Sequence, residues 1–322
     1  MRAVIDAIRA ADRIALVSHR DPDPDTIGSA LALGLGLERM GKRVSWHCAD
    51  PVPDAIRFLP SADRYSQLPP PADVDLIVCL DFGEAARAKF ALPSGPKVAD
   101  VDHHATTTAF GDASFLDATS AATGEMVGRL VDALGTGWTG DMATAALVAI
   151  MTDTGSFQFP NTDARALERA AMLRAAGADL QSITYNVFRN KRFEALKLWG
   201  FAFSRLVREF DGLLVWTWIE NDDLAHAEAA EEDLSGLVEQ IARSKGMRVA
   251  LLFSGVTGEV KVSCRTSASA PSVDAAALMA AFGGGGHVRA AGALIPGDDH
   301  GAVRERVLAA AREALDRARQ PA

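Results

Sequence analysis

Cysteine is scarce in this sequence. Three thiols in 322 residues, Cys48, Cys79 and Cys264, stand far apart with no CxxC pairing, which argues against a disulfide framework or a structural zinc site. Long apolar runs are missing too. No stretch approaches the ~20 residues that cross a bilayer, and the first residues, MRAVIDAIRAADR, carry charge throughout where a signal peptide would be apolar. A cytoplasmic protein without membrane contact is expected. Positive charge is in deficit: the formal net charge is −9, and a broad grip on long duplex DNA needs many Lys and Arg contacts to phosphates. Carboxylates committed to metals do not repel a substrate, so this total overstates the negative field at such a site.

What is present describes an ordinary globular protein, 48% hydrophobic and 23% charged, of a length that suits two domains. The stretch that organises it is His19 to Ser29, HRDPDPDTIGS. It follows the apolar run Ile14 to Val17, a buried strand by pattern, and precedes Ala30 to Met40, which reads as a helix. His19 and Asp23 are four apart, and Asp25 lies two beyond Asp23 across Pro24, which pushes Asp23 into an extended conformation. Neighbouring carboxylates then point in different directions and could serve two cations. A mixed imidazole and carboxylate shell suits Mn²⁺ or Mg²⁺. The plain alternative is a turn with an Asp cap for the next helix.

The same arrangement recurs. Arg43 to His47 reads as a strand, and Asp75 to Leu80 as another that stops at Asp81-Phe82-Gly83. Lys97 to Val101 runs into Asp102-His103-His104, and the apolar helix Ala143 to Met151 is followed by Asp153. With the helix Ser120 to Leu134 between them, this alternation implies an α/β domain with a parallel, helix-flanked sheet. His19, Asp23, Asp25, Asp81, His103 and His104 then converge at one sheet edge, where Asp153 can join them. Like charges so gathered repel unless cations bind.

From Thr162 the chain turns helical, through Ala164 to Ala176, Leu180 to Val187 and Phe193 to Arg208. Residues 1–190 are read as the first domain, 191–210 as a helical linker, and 211–322 as a smaller α/β domain with a mixed sheet. That second domain holds a strand at Gly212 to Ile219, a helix at Asp233 to Arg243, a hairpin turning at Thr257-Gly258, and a helix at Val273 to Phe282. A glycine run, Gly283 to Gly286, then ends at His287. Glycines let backbone amides approach a phosphate, although such runs also stop helices. Arg265 could meet phosphate oxygens in a forked geometry, or form a surface ion pair. Phe157 is a candidate base platform or a core residue; Trp216 and Trp218 suggest packing.

The set HRDPDPDTIGS, LDFG, VDHHATTTAFGD, TDTGSFQF and GGGGHVRAAG, in that order, resembles the DHH phosphoesterases. It is most similar to the two-domain members with a DHH-associated C-terminal domain that degrade short oligoribonucleotides and dephosphorylate 3′-phosphoadenosine 5′-phosphate. The resemblance implies one Mn²⁺ on His19, Asp23 and Asp81 and a second on Asp25, Asp81, His103 and Asp153, with Mg²⁺ as the other candidate. It implies that His104 faces the scissile phosphate while Asp102 orients a neighbouring histidine. Arg265, Gly284, Gly285, Gly286 and His287 would hold the substrate's phosphate or nucleotide end. It also implies a homodimer. Two departures stand out: Pro24 replaces the glycine of the first motif, and Thr106 to Thr108 occupy the place of a Ser-Asn pair. Competing functions are a cyclic dinucleotide phosphodiesterase, a pyrophosphatase-like enzyme, and a non-catalytic nucleotide- or RNA-binding module.

Overall fold

The computed structural model describes residues 1–319 apart from 257, 270 and 298; Thr257 of the expected hairpin turn lies outside them. The chain divides into two compact units, Met1–Asn190 and Lys191 onward.

The first unit opens with α1 (Arg2–Ala10), which buries Val4, Ile5 and Ile8. It continues through β1 (Arg13–Ser18), α2 (Pro24–Arg39), β2 (Arg43–His47), β3 (Tyr65–Ser66), β4 (Leu76–Leu80), β5 (Lys97–Asp102), β6 (Ala113–Leu116), α3 (Thr123–Leu134), α4 (Gly140–Asp153), α5 (Ala164–Ala175) and α6 (Leu180–Ile183). The six strands form one sheet in the order β3-β2-β1-β4-β5-β6, every pair parallel. Parallel strands covered on both faces read as unbroken apolar runs, and all five residues of β4 are buried. The expected α/β fold is therefore present. The strand β6, ASFL, was not foreseen, because four residues of mixed burial leave no apolar run to detect.

The sheet grows from β1 through β2 to β3 on one side, then returns across β1 for β4, β5 and β6. That reversal puts the carboxyl ends of β1 and β4 side by side with their loops diverging, the place where open α/β sheets leave a ligand crevice. Two helices start or stop there in ways the sequence pattern misplaced. Helix α2 begins at Pro24 rather than Ala30, because the Asp23 side chain accepts from the amides of Asp25 and Thr26 at 2.9 and 3.1 Å with proline at the first helical position. Helix α4 runs on to Asp153, so this acid ends a helix rather than following one.

Gly28 fixes how these helices meet. A Cβ there would strike the carbonyl oxygen of Ala145 and lie 3.3 Å from the Ala149 methyl. The close approach brings the amino end of α2, with Asp25, to the carboxyl end of α4, with Asp153.

The second unit comprises α7 (Phe193–Ser204), β7 (Val207–Glu209), β8 (Leu214–Ile219), α8 (Asn221–Ala227), α9 (Leu237–Ile241), β9 (Val249–Val256), β10 (Glu259–Thr266), α10 (Ala275–Ala280), β11 (Gly285–His287), β12 (Ala290–Pro296) and α11 (His300–Arg319). Its sheet has the order β11-β12-β10-β9-β8-β7, with β8 and β9 parallel and the other pairs antiparallel. Strand alternation divides two cores. Leu214, Trp216, Val249 and Leu251 face α10 and α11, whereas Val215, Ile219, Ala250 and Leu252 face α7 and α9. The 191–210 segment, read as a linker, thus supplies Leu198, Trp199 and Ala202 to this unit's own core. Among the described residues no helix is long and apolar enough to cross a membrane, and the three cysteines are buried and unpaired with one another.

Gly28→Ala should lower stability by about 1–3 kcal/mol, the range for overpacking. A urea titration reads this as a lower midpoint at unchanged slope; an unchanged midpoint would show that the two helices separate without cost.

Candidate metal centre

Asp81 stands at the middle of the crest. It leaves β4 with φ at +69°, a left-handed conformation uncommon outside glycine and found where surrounding structure enforces it. Its amide donates to the Val101 carbonyl at 2.9 Å. The two carboxylate oxygens then face different histidines. Oδ2 lies 3.5 Å from His19 Nε2, while Oδ1 lies 3.6 Å from His103 Nε2 and 3.7 Å from His104 Nδ1.

Around it the other acids take up distinct positions. Asp23 Oδ1 is 3.8 Å from His19 Nε2, so the capping residue of α2 also faces the imidazole. Asp25 Oδ2 and Asp153 Oδ2 approach His103 Nε2 at 3.7 and 3.1 Å. The rings of His19 and His103 are anchored from behind, Nδ1 to the carbonyls of Arg20 (2.6 Å) and Ser120 (3.2 Å). With Nδ1–H so donated, Nε2 is the end offered to the carboxylates. His104 is turned the other way, its Nδ1 on Asp102 Oδ1 at 2.7 Å.

Two of these carboxylates are almost wholly buried, Asp25 at 0% and Asp81 at 1% exposure. Buried charge must be compensated, and α3 does part of this. The amides of Thr123 and Gly124 at its amino end donate to Asp25 Oδ2 and Oδ1 at 2.8 and 2.9 Å, and the Thr123 hydroxyl donates to Asp81 Oδ1 at 2.9 Å. The Ser29 hydroxyl completes the set on Asp25 at 3.0 Å. Thr123 and Ser29 were missed by sequence reasoning; only the Thr-Gly pair early in a predicted helix hinted at an amide-bearing terminus.

The compensation is incomplete. Burial pushes the Asp25 carboxyl well above the usual carboxylate range, and the charges of Asp81 and Asp153 push the same way. Burial alone would lower the His103 imidazole, but the hydrogen bond to Asp153 and the charges of Asp153, Asp81 and Asp25 raise it well above its ordinary value. His19 and His104 are raised against burial as well, through Asp81 and Asp102 respectively. Asp102 moves down: its bonds from His104 and Thr107 outweigh burial. Such a field attracts positive charge. Within the first unit, three sets of donors have all their ligand atoms within 4.8 Å of one another: His19, Asp23 and Asp81; Asp25, His103 and Asp153; Asp81, Asp102 and His104. All are imidazole and carboxylate with no thiolate, a donor set that fits hard divalent cations.

The residues expected to hold substrate lie in the second unit. Arg265 on β10, Ala290 on β12 and His287 on β11 are in register across three strands, so their side chains share one face. Arg265 also makes the ion pair that was its alternative, with Nε and Nη2 at 3.0 and 2.5 Å from Glu239 Oε1. Gly285 and Gly286 are not a loop but strand β11, with Gly284 just before it, where a Cβ would lie 2.6 Å from that of Ala293. Phe157 packs against the first unit's core. Trp216 and Trp218 lie 5.6 Å apart, and the Arg304 guanidinium stands 4.8 Å over Trp218, a packing arrangement.

The N-terminal domain of the DHH family matches residues 13–152, and a DHHA1 domain matches residues 213–318. The chain is 39% identical to the bifunctional oligoribonuclease and PAP phosphatase NrnA of Thermus thermophilus, over 99% of this chain and 95% of that protein. It is 27% identical to the NrnA of Bacillus subtilis, over 91% and 92% respectively. The crystal structure of an exopolyphosphatase-related protein from Bacteroides fragilis shares the fold, with a TM-score of 0.87 at 23% identity over 98% of this chain and 96% of that one.

A pH dependence of stability follows from the site's charges. His103 and Asp25 both hold protons more tightly when folded than when unfolded. The stability contributed by His103 is therefore present below the unfolded imidazole value near 6.5 and lost as pH rises through the folded value. In chelator, Tm should fall as pH rises above the unfolded imidazole value near 6.5, and Asp25→Asn, which removes one buried charge, should flatten that fall. Parallel Tm curves for the two proteins across that range would refute the electrostatic account.

Proposed function

Because this chain belongs to the DHH family of phosphoesterases, we propose that it hydrolyses short oligoribonucleotides and 3′-phosphoadenosine 5′-phosphate with two divalent cations, manganese before magnesium. Its standing as a hydrolase of phosphate esters rests on the family match over the first unit and on the similarity to NrnA over nearly the whole length. The narrower substrate reading is supported by what those relatives are named for. The absence of the long basic tracts with which nucleases follow extended single strands supports it too.

One observation carries the proposal: Asp81 turns its two oxygens to separate histidines. In this reading His19, Asp23 and Asp81 hold one cation, and Asp25, Asp81, His103 and Asp153 hold the other. Bound there, divalent cations would neutralise charge on the phosphate oxygens and acidify a water. The protein's own groups do the rest. Thr123 and the amides at the start of α3 keep Asp81 and Asp25 in place before anything binds. His104, its Nδ1 on Asp102, presents Nε2 to the scissile phosphate and protonates the departing oxygen. Arg265, His287 and the amides of Gly284, Gly285 and Gly286 hold the substrate's phosphate or nucleotide end.

A substrate panel tests this. Wild type should hydrolyse a labelled dinucleotide and 3′-phosphoadenosine 5′-phosphate, lose activity in chelator, and regain more with Mn²⁺ than with Mg²⁺. Asp81→Asn should lower kcat/KM on both by at least about 10²–10³-fold, the several kcal/mol that metal ions supply, with unchanged circular dichroism. Undiminished turnover by Asp81→Asn would defeat the metal assignment, and hydrolysis confined to a cyclic dinucleotide or pyrophosphate would redirect the substrate reading.

A further inference from the structure

We infer that Thr107 is a positioning residue for His104, acting through Asp102, and that Gly83 is glycine because Thr107 needs its space. The inference deepens the reading above and rests on it. Asp102 ends β5 fully buried. Its Oδ1 accepts the His104 ring Nδ1 at 2.7 Å and the His104 amide at 3.3 Å, and its Oδ2 accepts the Thr107 hydroxyl. The Thr107 amide in turn donates to the His104 carbonyl at 3.1 Å, closing the loop into a turn. Both carboxylate oxygens are thus held from the two ends of one short loop. The carboxylate cannot rotate, so neither can the imidazole bonded to it.

The turn after β4 is built around the same contact. An ideal Cβ on Gly83 would sit 2.9 Å from the Thr107 Cα and closer still to its hydroxyl. Any side chain at 83 would push Thr107 away from Asp102. Two motifs separated by some twenty positions, LDFG and DHHATT, therefore converge on one hydrogen bond. Thr107 itself is uncharged; its hydroxyl fixes how the Asp102 carboxylate is turned and helps to hold it ionised.

The step that depends on it is leaving-group departure. Water oxygen forms a bond to phosphorus as the bond to the ribose oxygen breaks, and that oxygen keeps the electron pair and takes the proton from Nε2 of the His104 imidazolium. Nδ1–H stays on Asp102, and the proton released by the water returns the ring to its charged state through solvent. A leaving group that departs without a proton has no need of this alignment.

The experiment compares a dinucleotide, whose ribose hydroxyl is a poor leaving group, with a nucleoside 5′-phosphate p-nitrophenyl ester, whose phenolate leaves unassisted. Thr107→Val should lower kcat on the dinucleotide by about 10–100-fold, the usual cost of losing an outer hydrogen-bond partner, while KM and the nitrophenyl ester kcat change by less than about twofold. Thr107→Ser should restore the dinucleotide rate, and Gly83→Ala should reproduce the selective loss. Equal losses on both substrates, or full dinucleotide activity in Thr107→Val, would overturn the inference while leaving the phosphoesterase reading intact. A wild type inactive on both substrates would overturn the two together.

Discussion

The structure depends on keeping negative charge where a folded protein has least use for it. Asp25 and Asp81 are nearly inaccessible and within reach of Asp23, Asp153 and three imidazoles. Around this cluster, element ends have been spent on compensation. Helix α3 points its free amides at Asp25, where the positive end of a helix favours an anion. Hydroxyls of Ser29 and Thr123 fill further acceptor sites. What they leave uncancelled raises His103 and Asp25 above their ordinary values, and that residue of negative field is the attraction a divalent cation would meet.

Much of this was legible beforehand because each ligand candidate sits where an apolar run stops. The runs IALV and LIVCL are unmistakable as buried parallel strands, and an acid or histidine directly after each must lie at the sheet's carboxyl edge. The sequence could not show that the chain reverses direction between β1 and β4, which sets His19 beside Asp81 rather than several strands away. Nor could pattern alone choose between Asp23 as cap and Asp23 as ligand. The cap is what the structure holds, and the same Oδ1 that accepts the two amides also lies 3.8 Å from His19 Nε2.

Much of what stayed hidden consists of contacts between residues remote in sequence that carry no chemical signature of their own. Thr123 reaches back 98 positions to Asp25 through a backbone amide, an interaction any residue but proline could make. Glu239 meets Arg265 from a helix 26 positions upstream. The run of glycines before His287 looked like a loop because glycine is the commonest helix stop, yet β11 pairs with β12 at close quarters there and excludes side chains at Gly284.

The site also has a polarity that follows from which helix ends compose it. Asp25 lies at the amino end of α2 and receives the amino end of α3, so two helix termini favour its charge. Asp153 lies at the carboxyl end of α4, where the helix itself contributes negative potential. Burial works against the first advantage, which is why Asp25 is still shifted upward. The second acid leans on His103 at 3.1 Å, closer than Asp81 or Asp25 comes to the same ring. A cation entering between them would meet one carboxylate already fixed by amides and another whose main neighbour is a ring nitrogen it would have to replace. The rigid side of the site is thus the α2–α3 side, and the adjustable side is the end of α4. Gly28 binds the two together by letting α2 and α4 touch, so the spacing between the fixed and the adjustable carboxylate is set by helix packing rather than by the loops that carry the histidines.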